Sequence, residues 1–156
     1  IGALPQEGLE ECAQALSQAL EGAANQREDY WKNRVQPFWQ HVWPKSRDLA
    51  TPQIAESLTR LIIAARTEFP AALIAVQDWL QPIEHPDYVI HSLHESELCA
   101  RFPEDALRLL NVVIADQQWA PRELGQCLDK IEQVVPQLAQ DARYKRVSEY
   151  FRRRGM

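Results

Sequence analysis

Thr51-Pro52-Gln53-Ile54-Ala55-Glu56-Ser57-Leu58-Thr59-Arg60-Leu61-Ile62-Ile63-Ala64-Ala65 is the stretch that decides the fold class. Ile54, Leu58, Leu61, Ile62 and Ala65 recur at three- and four-residue steps, and Phe69 continues the series; this is the period of a helix with one buried face. Thr51 stands where an N-cap should, and Pro52 occupies the first helical position, where a missing N–H costs nothing. Proline punctuates the chain downstream in the same way. Pro70 opens a segment carrying Leu73, Val76 and Leu80, and Pro86 one carrying Val89, Ile90 and Leu93. Pro103 opens another through Ala106, Leu107, Leu110, Val113 and Ile114, and Pro121 one through Leu124, Leu128, Ile131 and Val134. Pro136 breaks or kinks the chain before a last helix with Tyr144, Val147 and Phe151.

Upstream, Leu9, Cys12, Leu16, Leu20 and Ala23 form the stripe of a first helix over residues 7–23. Asn25 and Glu28 have capping-box spacing before a segment in which Trp31, Val35, Phe38 and Val42 share a face. Pro37 lies on the opposite face, so this helix is either kinked or split. Trp43-Pro44-Lys45-Ser46 ends it. No stretch alternates with period two, so no sheet is expected.

The predicted fold is all-α, with seven to nine helices in antiparallel pairs, arranged as a short solenoid-like stack or an irregular bundle. A hint of repetition comes from Phe69-Pro70 and Phe102-Pro103, both helix starts. At 156 residues the chain reads as one helical domain, 1–156. Its first residue, Ile1, fits a C-terminal fragment of a longer protein.

Between Gly22 and Gly125 there is no glycine. Phosphate-cradling loops, dinucleotide fingerprints and strained nucleophile turns need glycine's freedom at positive φ, so those enzyme classes have no place to sit. The net charge of -5 disfavours bulk attraction to nucleic acid or anionic membrane. Lacking a spanning apolar run or a secretory leader, the chain is expected to be soluble and cytoplasmic. Cys12, Cys99 and Cys127 are widely spaced and sit among apolar residues, which points to small buried thiols rather than a disulfide or zinc framework.

Three constellations could carry function. His91, His94 and Glu95, with His85 nearby, place imidazoles and a carboxylate on one helix, a pattern a metal-dependent enzyme could use. The order H-x-x-H-E matches no familiar zinc helix, however, and an ordinary polar flank is the favoured reading, with no metal and no cofactor. Trp39 and Trp43 widen the aromatic stripe beyond one core contact; they read as core or intramolecular packing, with a partner-binding face as the alternative. Arg143, Lys145, Arg146, Arg152, Arg153 and Arg154 crowd the end of the chain. Arginines in a last helical turn complement the macrodipole, and the alternative is a nucleic-acid contact. Carboxylates such as Glu104, Asp105 and Glu123 fall in first helical turns and are explained by the helix dipole, so no acid/base pair is assigned.

Phe38-Trp39-Gln40-His41-Val42-Trp43-Pro44-Lys45-Ser46, Phe102-Pro103-Glu104-Asp105-Ala106-Leu107-Arg108-Leu109-Leu110 and the Arg-rich end together resemble a C-terminal helical domain of unknown function found in large bacterial proteins, some with a sirtuin-like or nucleotide-hydrolysing module upstream. The resemblance runs from about Tyr30 onward and brings no functional residues with it. It implies a role in phage defence in which this domain positions, regulates or senses while another does the chemistry. The expected function is thus a non-catalytic interaction or regulatory module whose partner is another protein or its own N-terminal domains, with Trp39, Trp43, Arg152, Arg153 and Arg154 as the candidate contacts.

Overall fold

The computed structural model describes residues 6–23, 26–45, 48–114 and 120–154, and the side chains from residue 8 onward. Among these residues the fold is all-α, with no strand. The chain divides into two compact units, Ile1–Gln81 and Pro82–Met156, a subdivision that the reading of one domain over 1–156 did not contain.

The first unit is built on α1 (Gln6–Glu21) lying against α4 (Pro52–Ala64). The expected N-cap is present: Thr51 is extended, and its hydroxyl accepts the Ile54 N–H at 3.1 Å while donating to Glu10 on α1 at 3.2 Å. Ile54, Leu58, Leu61, Ile62, Ala65 and Phe69 are all fully buried, as their period requires. The buried line of α1 differs from the expected stripe. Leu9, Ala13, Ser17 and Leu20 face inward, whereas Cys12 and Leu16 are half-buried. Ala13 and Ser17 are small, as are Ala55 and Thr59 on α4, and all four are buried. Thr59 satisfies its hydroxyl locally on the Ala55 carbonyl at 2.6 Å. The Arg27 guanidinium closes the far ends of both helices, donating to the carbonyls of Glu21 at 2.9 Å and Ala64 at 3.3 Å.

α2 (Arg27–Tyr30) and α3 (Gln36–His41) are joined through a π turn, Trp31–Val35, into one continuous helix over 27–41. The helix is thus neither split nor simply kinked at Pro37. A proline in an uninterrupted α-helix crowds the carbonyl four residues back and has no N–H to give, and the wide turn just before Pro37 absorbs that misfit. Asn25 lies outside the described residues; Glu28 directs its carboxylate to Lys32 and Thr67. α5 (Phe69–Val76) follows with Pro70 in its first turn, and a 3₁₀ turn, Gln77–Trp79, buries Trp79 where Leu80 was expected.

The second unit contains α6 (Asp87–Glu95), α7 (Leu98–Arg101), α8 (Pro103–Val113), α9 (Arg122–Val134) and α10 (Ala142–Arg154). Counting α2 and α3 as one, the described residues hold nine helices. α7 is a single turn with no sequence signal of its own; Glu97 precedes it at φ 61, a left-handed conformation costly for any residue with a Cβ. Pro86 and Pro121 sit at the N-caps of α6 and α9, and Pro103 in the first turn of α8. Val89, Ile90, Leu93, Ala106, Leu107, Leu110, Val113, Leu124, Leu128 and Ile131 are buried as expected. Val134 is not: α9 ends there, and its side chain is exposed. The two Phe-Pro starts also differ. Phe69 is fully buried inside α5, whereas Phe102 is a half-buried residue capping α8.

Candidate functional site

Trp39 and Trp43 sit in the first unit, and the backbone decides their environment. In a regular α-helix each four-residue step rotates the side chain onward by about 40°. The π turn at 31–35 takes up part of that rotation, and Trp31, Val35, Trp39 and Trp43, spaced four apart, share the inward side. Trp31 and Val35 are fully buried and Trp43 is 3% exposed. Val42, placed in the core stripe by α-helical spacing, is instead 58% exposed. Phe38 is half-buried.

The indoles of Trp39 and Trp43 stack with centroids 4.6 Å apart and planes 16° from parallel. Trp79 meets Trp43 edge-on at 5.2 Å and Trp39 at 6.4 Å. The Trp39 indole N–H donates to the Ala75 carbonyl on α5 at 2.9 Å. The apolar area on the flank of the stripe is therefore covered largely within the same unit, by Trp79 and α5. Trp43 belongs to this core, and among the described residues its buried indole N–H has no hydrogen-bond partner. Half-buried Trp39 lines a shallow recess of about 230 Å³ with Pro44, Lys45 and Asp78. Val42 lies one turn beyond Trp39, and Ile74, also 58% exposed, precedes Ala75. The sequence placed Val42 in the core and did not single out Ile74. Ile74 reads there as one more residue of an apolar run, Ala71-Ala72-Leu73-Ile74-Ala75-Val76, whose sides spacing alone does not sort.

The basic residues of α10 divide into two groups. Arg146 acts as a cap, donating to the Asn111 side chain at 2.7 Å and to the Asn111 and Ile114 carbonyls at 2.6 and 3.1 Å, where α8 ends. Arg143 pairs with Asp141 at 2.9 Å and approaches Glu104 at 3.7 Å. Its guanidinium and its backbone N–H together hold the Asp141 carboxyl down at about 2. Arg152 and Arg153 share Glu149, yet their side chains stay 77% and 70% exposed. Arg154 is exposed as well, its carbonyl accepting the Ala120 N–H at 2.9 Å. The outward basic surface of α10 is thus its last turn, partly offset by one carboxylate, together with exposed Lys145 near its start.

His91 and Glu95 are exposed and His94 half-buried on α6. Among the described residues no three His, Cys, Asp or Glu side chains come together as a metal site. Among the described residues, the spacing that set the imidazoles one turn apart is not joined by a third donor from another helix.

No family model and no solved structure matches the chain. It is similar to an uncharacterized protein, y4cA, of Sinorhizobium fredii (strain NBRC 101917 / NGR234), at 28% identity over 126 residues. The match covers 79% of this chain and 10% of that protein, so the chain spans about a tenth of the length of the relative it matches. No helix among the described residues is long and apolar enough to cross a membrane.

Proposed function

We propose that this chain is a non-catalytic helical interaction or regulatory module of a larger bacterial protein. The observation that carries the reading is the extent of the match: four-fifths of this sequence corresponds to one-tenth of a far longer chain. A segment of that kind works through what it touches. The surface best suited to a protein contact is the edge of Trp39 with the exposed Val42 and Ile74, since an amphipathic indole beside aliphatic side chains gives large area at little rotamer cost. Trp43 supports that surface from below. The family resemblance supplies phage defence as the setting, and three free cysteines fit a reducing cytoplasm.

The test is to produce this chain and the remainder of the larger polypeptide proposed to contain it as separate molecules and measure their association by calorimetry. Trp39→Ala and Ile74→Asp should weaken binding by about 1–4 kcal/mol, as hot-spot truncations do, with the helical circular dichroism of the free chain retained. No association in either molecule's presence overturns the reading.

A second reading, nucleic-acid contact through α10, rests on the exposure of Arg152 and Arg153. It requires salt-sensitive binding that is lost when Arg152, Arg153 and Arg154 are neutralised; absence of binding at low salt removes it.

A further inference from the structure

The helix over 27–41 is anchored at its first half. The Arg27 guanidinium is tied to the carbonyls of Glu21 and Ala64, Glu28 accepts the Thr67 hydroxyl, Lys32 pairs with Glu68 at 3.1 Å, and Trp31 is fully buried. With that half fixed, the turn over Trp31–Val35 decides which side chains of the second half face the core. The Gln36 N–H reaches back five residues to the Trp31 carbonyl, one residue farther than an α-helical bond, so the π turn acts as a single residue inserted into an α-helix. Each α-helical residue turns the chain by about 100°; in an uninterrupted helix Phe38 and Val42 would lie within about 20° of Trp31, with Trp39 and Trp43 about 80° and 120° away. One inserted residue reverses the assignment, bringing Trp39 and Trp43 within about 20° of Trp31 and turning Val42 outward. The chain has this second register, with Trp43 3% and Val42 58% exposed. That register carries costs: among the described residues the buried Trp43 indole N–H has no hydrogen-bond partner, and Val42 leaves an aliphatic side chain in water. The α register is opposed at Pro37, whose ring would crowd the Asn33 carbonyl four residues back.

We infer that Pro37 is the positioning residue of the contact surface made by Trp39, Val42 and Ile74. By opposing the α register it holds the π turn, and the π turn sets the Trp39 indole on the Ala75 carbonyl, next to Ile74, while it turns Val42 to solvent. The inference takes that surface from the function proposed above and adds what builds it. Pro37 acts through the backbone and touches no partner in doing so. Without its ring the helix closes to the α register, Phe38 and Val42 take the inward side, Trp39 leaves Ala75, and the surface is dismantled while the anchored half stays in place.

Nuclear magnetic resonance of the full chain with isotope-labelled tryptophan, transferred to heavy water, tests this through exchange of the indole N–H groups. It needs no partner, so the register and the proposed contact can each fail alone. In the wild-type chain the N–H groups of Trp31, Trp39 and Trp43 should exchange slowly, the first and last being buried and that of Trp39 bonded to Ala75. Pro37→Ala should speed Trp39 and Trp43 by about a hundredfold or more while Trp31 stays slow; unfolding would release all three. Deleting exposed Asn33 from the Pro37→Ala chain takes the extra residue out of the turn and should restore slow exchange at Trp39 and Trp43 in a plain α-helix, a rescue that general loss of stability does not give. Association with the remainder of the larger polypeptide should weaken by about tenfold or more in Pro37→Ala and return with the deletion. Slow exchange at Trp39 and Trp43 in Pro37→Ala, failure of the deletion to restore it, or association of Pro37→Ala at wild-type strength overturns the inference. The deletion variant decides it even if Pro37→Ala alone fails to fold.

Discussion

Thr51 and Glu97 show how much a single residue contributes at a helix boundary. The Thr51 hydroxyl satisfies an N–H that α4 leaves open, so Thr51→Ala should destabilise the first unit by about 1 kcal/mol in urea unfolding. Glu97 is the opposite case. Its left-handed backbone carries a Cβ that costs roughly 1–2 kcal/mol, and Glu97→Gly should recover about 1 kcal/mol, raising the denaturation midpoint. Thr51 announces itself in sequence because Thr-Pro before an apolar period has one reading. Glu97 does not, since nothing in His94-Glu95-Ser96-Glu97-Leu98 marks a left-handed turn, and glycine, the usual marker, is absent. The same limit applies to Val42 and Trp43. Which of two neighbouring apolar residues faces inward depends on a π turn eight to twelve residues upstream, and such a turn leaves no trace in side-chain spacing.

At the scale of elements, the long helices were legible because proline starts and three- and four-residue apolar steps agree, while α7 was not, being shorter than the period that would reveal it. How α10 meets α9 was also hidden. Gly125 sits on α9 under the Phe151 ring, and a Cβ there would come within 2.7 Å of the ring's Cζ. Gly125→Ala should therefore cost roughly 1–3 kcal/mol by overpacking. Adding Phe151→Leu should cost less than the sum of the two single changes, which a double-mutant cycle would read as coupling. The start of α10 has a pH signature. The Asp141 carboxyl is lowered from 3.8 to about 2 by the Arg143 side chain and backbone N–H. A depressed carboxylate contributes stability that is present above its unfolded value and is lost as pH falls through the folded one. Stability of the second unit should thus carry a component that declines from about pH 4 to pH 2, absent in Asp141→Asn when thermal unfolding is followed across that range.

At the scale of the whole molecule, each unit has its own buried set: Leu9, Trp31, Ile54 and Leu73 in one, Ile90, Leu107, Leu124 and Ile131 in the other. Residues 1–81 and 82–156, made as separate polypeptides, should each show a helical far-ultraviolet spectrum with cooperative thermal unfolding; a featureless melt for either would mean its core is incomplete alone. The division was not readable from the chain, because Gln81-Pro82-Ile83 looks like any other proline restart and no Gly/Ser-rich linker marks it. The tryptophans carry a practical consequence. Four of the five, Trp31, Trp39, Trp43 and Trp79, lie in the first unit, and two of them are stacked at 4.6 Å. Indoles held that close in one fixed orientation give a near-ultraviolet circular dichroism band that vanishes when the rings part. Native fluorescence and that band are thus largely an optical record of residues 1–81, whereas far-ultraviolet ellipticity weighs the whole chain, so the two signals followed on one sample tell the melting of the first unit from that of the second without any label.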